Sequence, residues 1–189
     1  LSVLACGLLW LAAGAAPAAE PAPRFQTMLD EARAAFAAPE AYVETAPPAV
    51  EGFAFDRALA APDGALVAAY AVRPIARMEI DYNDPHSSAP NPNHIFPLVY
   101  EALVGRLSGG GATPSRDFPP QDAQQRFNAD WASATAFDVD PAVSRDYRQG
   151  FLLALHKNGL ADTYTLFLYN DPATAKTRIN TLLTSLMFR

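Results

Sequence analysis

The stretch from Gly150 to Asn170, GFLLALHKNGLADTYTLFLYN, limits this chain's possible folds more than any other. Phe151, Leu153 and Leu155 fall on one face of an extended segment, and Leu152 and Ala154 on the other. Apolar residues on both faces suit a strand covered from both sides. Asn158-Gly159 is a dipeptide that accepts the positive φ of a tight reversal. The return segment is rich in β-formers: Thr163, Tyr164, Thr165, Phe167 and Tyr169. A hairpin of this kind needs more sheet on either side, so it predicts the middle of a larger, mostly antiparallel sheet.

The flanking segments supply that sheet and its cover. Asp171-Pro172 opens a helix, with a capping carboxylate ahead of a proline in the first helical position. Ile179, Leu182, Leu183 and Leu186 recur along it at helical spacing. Upstream, Arg24 to Phe36 reads as a helix with Phe25, Met28, Leu29, Ala32 and Phe36 on one side. Residues 37–50 hold Pro39, Pro47 and Pro48 and predict an extended link. Phe53, Phe55 and Leu59 alternate as in a strand, and Ala61-Pro62-Asp63-Gly64 is a turn. Leu66, Ala68, Tyr70 and Val72 then form one strand face and Val67, Ala69 and Ala71 the other, with Pro74 ending the run. Residues 81–93 (DYNDPHSSAPNPN) are polar and broken by prolines, which predicts a surface loop. Ile95, Leu98, Val99, Ala102, Leu103 and Leu107 give the next helix its stripe. Pro97 sets its start near Asn93 or His94, and Gly109 to Gly111 stop it. A short helix over 121–128 and a strand over 132–139 complete the order. The expected class is α+β: a mostly antiparallel central sheet with helices on both faces.

Composition enters at the N-terminus. Residues 1–19 carry no charge, and LSVLACGLLWLAAGAA is an apolar run followed by the Ala16-x-Ala18 pattern of a cleavable export signal. The rival reading is a retained anchor, but the run is short and Ala/Gly-rich for a span. A lipid-bearing Cys6 fits poorly, because the apolar segment continues past it. The reading is a signal at 1–19, an N-terminal helix and proline-rich link at 20–49, and a single α+β domain at 50–189. Cys6 is the only cysteine, so removing the signal removes thiol chemistry with it. The implied location is periplasmic or secreted, in a bacterium. A net charge of −6 with no basic block argues against nucleic acid as a partner, and stable membrane insertion is not expected once the signal is cut.

No G-x-S-x-G elbow, phosphate-binding glycine loop or H-E-x-x-H helix occurs. One polar constellation remains. Asp81, Asn83, Asp84, His86 and His94 crowd together, with Asn91 and Asn93 among them. Two carboxylates and two histidines suit a divalent metal or a polar ligand; a solvated loop of self-bonding Asx turns is the plainer and preferred reading. Arg73, at the end of its strand, would suit an anionic ligand if it faced a cleft, and otherwise pairs with Glu79 as an exposed ion. Trp131, between a short helix and a strand, is placed to line a pocket or to pack at its rim. His156, near the end of a buried strand, reads as a hydrogen-bonded structural histidine. No cofactor is expected.

The segments FAFDRALAAPDGALVAAYAV, FNADWASATAFDV and GFLLALHKNGLADTYTLFLYND, with a last helix closing on Leu186-Met187-Phe188, resemble the Mog1/PsbP-like α/β/α sandwich. They are also similar to a group of uncharacterised secreted bacterial proteins. The resemblance covers about residues 50–189 and is one of strands and turns. It implies a non-enzymatic binding or assembly factor with an unknown protein or small-molecule ligand, and it transfers no site residue. The alternative is a metal-binding protein, or a metal-dependent enzyme, using the 81–94 loop.

Overall fold

A computed structural model describes residues 23–77, 91–111 and 114–189. In chain order the elements are α1 (Pro23–Glu31), β1 (Ala34–Phe36), β2 (Val43–Thr45), β3 (Arg57–Ala60), β4 (Leu66–Pro74), α2 (Pro92–Leu107), β5 (Arg116–Asp117), α3 (Pro120–Phe127), β6 (Trp131–Asp138), β7 (Gln149–Lys157), β8 (Ala161–Tyr169), α4 (Pro172–Leu182) and β9 (Leu186–Phe188). Seven strands form one sheet in the order β2-β3-β4-β8-β7-β6-β5, every pair antiparallel, and β1 and β9 form a second, two-stranded sheet. The chain is α+β. Among the described residues no helix is long and apolar enough to cross a membrane.

The hairpin lies where its two apolar faces require. β8 is the central strand of the seven, and all nine of its residues are buried. Residues of β4 and β8 alternate between two hydrophobic clusters. Leu66, Ala68, Tyr70, Val72, Phe167 and Tyr169 join one; Val67, Ala69, Ala71, Tyr164, Leu166 and Leu168 join the other. Side chains of α1, α3 and α4 enter the first cluster, and those of α2 enter the second. Gly159 turns the hairpin at φ 67°, and Gly64 turns the preceding β3–β4 pair at φ 68°, both left-handed positions where a missing Cβ removes the steric penalty. The Asp171 carboxylate accepts hydrogen bonds from the Ala173 and Thr174 amides at 3.0 and 3.3 Å, as a helix cap should.

Several expectations are corrected. The first helix stops at Glu31, not Phe36. Arg33 turns the chain at φ 47°, and Ala34–Phe36 then pairs with Leu186–Phe188. Phe36 still meets Phe25, with ring centroids 5.3 Å apart, but it arrives from a strand. The same pairing ends α4 at Leu182 and makes Leu186 a strand residue. The link over 37–50 contains an edge strand, β2, and Phe53 and Phe55 precede β3 instead of lying in it. Residues 75–77 form a 3-10 turn. In α2 the buried stripe is Phe96, Tyr100, Leu103, Val104 and Leu107, while Leu98 is 69% exposed. The aromatic pair outweighs the aliphatic stripe because each ring buries more area. α2 also begins earlier than Pro97 suggested. Asn91 caps it by accepting from the Asn93 amide at 2.9 Å, and Pro97, early in the helix, forfeits only its own bond to the Asn93 carbonyl.

Candidate functional site

The β-sheet registers bring distant residues into one transverse row. Trp131 on β6 lies opposite His156 on β7, His156 lies opposite Asp162 on β8, and Asp162 lies opposite Arg73 on β4. The row runs beneath the start of α2. The Phe96 ring sits 5.2 Å from His156 and 5.4 Å from Trp131. Asn93, on the first turn of the same helix, accepts a hydrogen bond from the Gly159 amide at 2.8 Å, which ties α2 to the hairpin tip. Beyond Arg73 the row continues to Asp56 and Phe53, ahead of β3.

His156 and Asp162 form the buried centre of the row, each side chain 3% exposed. The Nδ1–Oδ1 distance is 2.6 Å, and Nε2 lies 3.2 Å from the Asn158 side-chain oxygen. Both ring nitrogens are therefore engaged within the protein. The histidine is buried and hydrogen-bonded there, as its position on a buried strand suggests. Burial raises the Asp162 carboxyl above its ordinary range, while the hydrogen bond and charge of His156 pull it back down. Asp130 closes the hairpin tip from outside: its carboxylate accepts from the Asn158 amide at 2.9 Å and lies 3.6 Å from the Lys157 ammonium.

Arg73 is anchored within the protein. Its Nη1 donates to Asp56 Oδ2 and to the Val72 carbonyl, both at 2.7 Å, and Nη2 donates to the Ala54 carbonyl. Its guanidinium carbon sits 4.9 Å from the Phe53 ring centroid. Asp56 is its ion partner among the described residues; Glu79 lies outside them. Arg73 does face a cleft, but both of its terminal nitrogens are already engaged.

That cleft, of about 570 Å³, opens at the ends of β4 and β8 between α1 and α2. This size is usual for small-molecule sites. Buried Asp162 and Tyr164 form its floor, Met28, Phe53 and Val99 give it apolar walls, and Arg24 and Arg77 stand at its rim. Tyr164 is 1% exposed, and its hydroxyl, shielded from solvent, lies beside the Asp162 carboxyl two residues earlier on the strand. Desolvation and the neighbouring Asp162 charge hold its phenol well above the ordinary value, so it remains a protonated donor.

A larger cavity of about 650 Å³ lies between the β1–β2 connection and α4, and another of about 490 Å³ lies beside β5 and β6. Neither has an unpartnered buried polar group among the described residues. In the larger one, Arg178 is held by Asp63 through two hydrogen bonds of 2.6 and 2.7 Å. The Tyr164 cleft differs from both in having a buried carboxyl, Asp162, in its lining.

Of the residues singled out from sequence, Arg73 and Trp131 fall in the transverse row. Arg73 lines the cleft, while Trp131 packs behind Phe96 against the edge of the second cluster. His94 is exposed on the first turn of α2. Asp81, Asn83, Asp84 and His86, the core of the expected polar constellation, lie outside the described residues, as does Glu79. Among the described residues no three His, Cys, Asp or Glu side chains are grouped to hold a metal ion. Sequence reading missed Tyr164 and Asp162 as site residues, having placed Tyr164 only among the strand formers. The available signal was their polarity at positions 162 and 164 of a strand predicted to be buried on both faces. Comparison with protein families, curated proteins and solved structures finds no match.

Proposed function

We propose that this protein is a non-catalytic binding protein, and that its ligand sits in the cleft between α1 and α2 above Tyr164 and Asp162. The observation that carries the reading is the cleft itself: about 570 Å³, walled by Met28, Phe53 and Val99, with the buried polar side chains Asp162 and Tyr164 in its lining. Two further features support it. His156 has both ring nitrogens occupied. Among the described residues no serine or threonine hydroxyl is hydrogen-bonded to a histidine, so a nucleophile and base pair is not assembled there. The α/β/α sandwich of the Mog1/PsbP-like type, with α2 covering one sheet face and α1, α3 and α4 the other, belongs to the same proposal, as does export to the periplasm or cell exterior.

Thermal-shift screening of a fragment panel tests the binding site, with Val99→Trp as the blocking variant. Val99 is a partly buried wall residue, so an indole there fills the cleft without entering the sheet. Fragments that raise the melting temperature of the wild type should lose that effect in Val99→Trp. Fragments that protect both proteins equally place the ligand elsewhere and overturn the reading.

A further inference from the structure

We infer that a second site lies at the opposite end of β4 from the cleft, in the cavity of about 650 Å³ between the β1–β2 connection and α4, and that it takes a small organic cation with an apolar body. Three features of the lining favour positive charge. The first is a carboxylate. Asp63 and Arg178 close on each other through hydrogen bonds of 2.7 and 2.6 Å, which leaves Glu40 as the lining carboxylate with no ion pair among the described residues. Residues 1–22, 78–90 and 112–113, outside the described set, contain no lysine or arginine to neutralise it. The second is an aromatic ring. Tyr42 lines the cavity, and burial raises its phenol above the ordinary value, so the ring stays neutral and its face attracts a cation. The third is the carboxyl end of α4. The helix stops at Leu182 with no basic residue in its last turn, and Leu182, Thr184 and Ser185 line the cavity, so the partial negative charge of that end is turned towards it. One turn presents both Glu40 and Tyr42, closed by the Tyr42 amide donating to the Pro39 carbonyl at 3.3 Å. Ala41 between them stands at φ 63°, a left-handed position that glycine takes without steric penalty and alanine does not. Strained positions of this kind gather where side chains are held for a ligand. Ala38, Pro39 and Pro62 supply apolar surface for the body of the cation. An anion would meet charge of its own sign at Glu40 and at the helix end.

The test is titration calorimetry with hexyltrimethylammonium against hexanol and hexanoate, on the wild type, Glu40→Gln, Tyr42→Leu, Thr181→Trp and Val99→Trp. Thr181 is an exposed residue of α4 in the cavity lining, so an indole there fills the cavity without entering the core; circular dichroism checks that each variant is folded. The ammonium should bind more tightly than hexanol, and hexanoate most weakly. Glu40→Gln and Tyr42→Leu should each weaken the ammonium by roughly two- to fivefold. Glu40→Gln should leave hexanol unchanged, and its effect on the ammonium should fade in high salt because the carboxylate is exposed. Thr181→Trp should abolish the binding and Val99→Trp should leave it intact. Fragment screening of the cleft is run in the Thr181→Trp background, so that the two sites are read separately. The inference is overturned if the ammonium does not bind at millimolar concentration, if hexanol or hexanoate binds as tightly, or if neither Glu40→Gln nor Tyr42→Leu weakens it. If Val99→Trp abolishes the binding and Thr181→Trp does not, the second site is overturned while the cleft reading stands.

Discussion

Removing the Asp162 carboxyl tests the row at its centre. In Asp162→Ala, the Nδ1–H of His156 loses its partner at 2.6 Å in a site where the ring is 3% exposed. Phe96 packs on the imidazole at 5.2 Å and holds the ring in place beneath α2. Breaking one side of a buried pair typically costs about 3–5 kcal/mol, most of it from the stranded partner. Removing both sides is a different perturbation. In the double variant His156→Leu/Asp162→Leu no buried charge remains and the added apolar atoms face Phe96, so its loss should be smaller than that of Asp162→Ala. Urea unfolding at neutral pH, followed by circular dichroism, measures both values. The reasoning is refuted if Asp162→Ala costs less than about 1 kcal/mol, or if the double variant loses as much as Asp162→Ala. The pH dependence has a definite sign. Burial holds this carboxyl above 3.8, so its contribution is complete below 3.8 and shrinks as pH rises through the raised value. In Asp162→Asn that downward slope should vanish over the same window.

Gly150 lies opposite Phe137 across β6 and β7, and a Cβ added there would come within 2.4 Å of the Phe137 ring. Gly150→Ala should cost about 1–3 kcal/mol through overpacking, with part recovered in Gly150→Ala/Phe137→Leu; equal melting temperatures for the wild type and Gly150→Ala refute this. On the acid side, hydrogen bonds hold the carboxyls of Asp63 (to Arg178) and Glu31 (to Arg77) below their ordinary values of 3.8 and 4.5. Their contributions are present above those values and are lost as pH falls through the lowered ones. Asp63→Asn should therefore flatten the acid limb of the stability curve slightly, and the difference should fade in high salt because the pair is exposed; a steeper limb is the contrary result.

Local chemistry made much of the architecture legible. The two-faced apolar pattern of 151–155, the Asn158-Gly159 turn, the Pro62-Asp63-Gly64 turn and the Asp171-Pro172 cap each act through contacts within a few residues, and each appears in the structure. Expectations failed where a distant segment competed. Phe36 and Leu186 both fit a helical stripe, but pairing between β1 and β9 took them into strands 150 residues apart in the chain. Periodicity alone cannot register such a contact, because its hydrogen bonds depend on a partner elsewhere in the sequence.

The site divides along the same line. From the sequence alone came the α+β class, the central ribbon and the notice of Arg73, Trp131 and His156 as residues with chemistry to explain. Tertiary structure decided that strand order sets Trp131, His156, Asp162 and Arg73 side by side. It also decided that Asp56 neutralises the arginine, and that Asp162 and Tyr164 line a cleft at the ends of β4 and β8. The reason is geometric: side-chain alternation is a property of one strand, whereas a row across a sheet exists only once the registers of several strands have been chosen together.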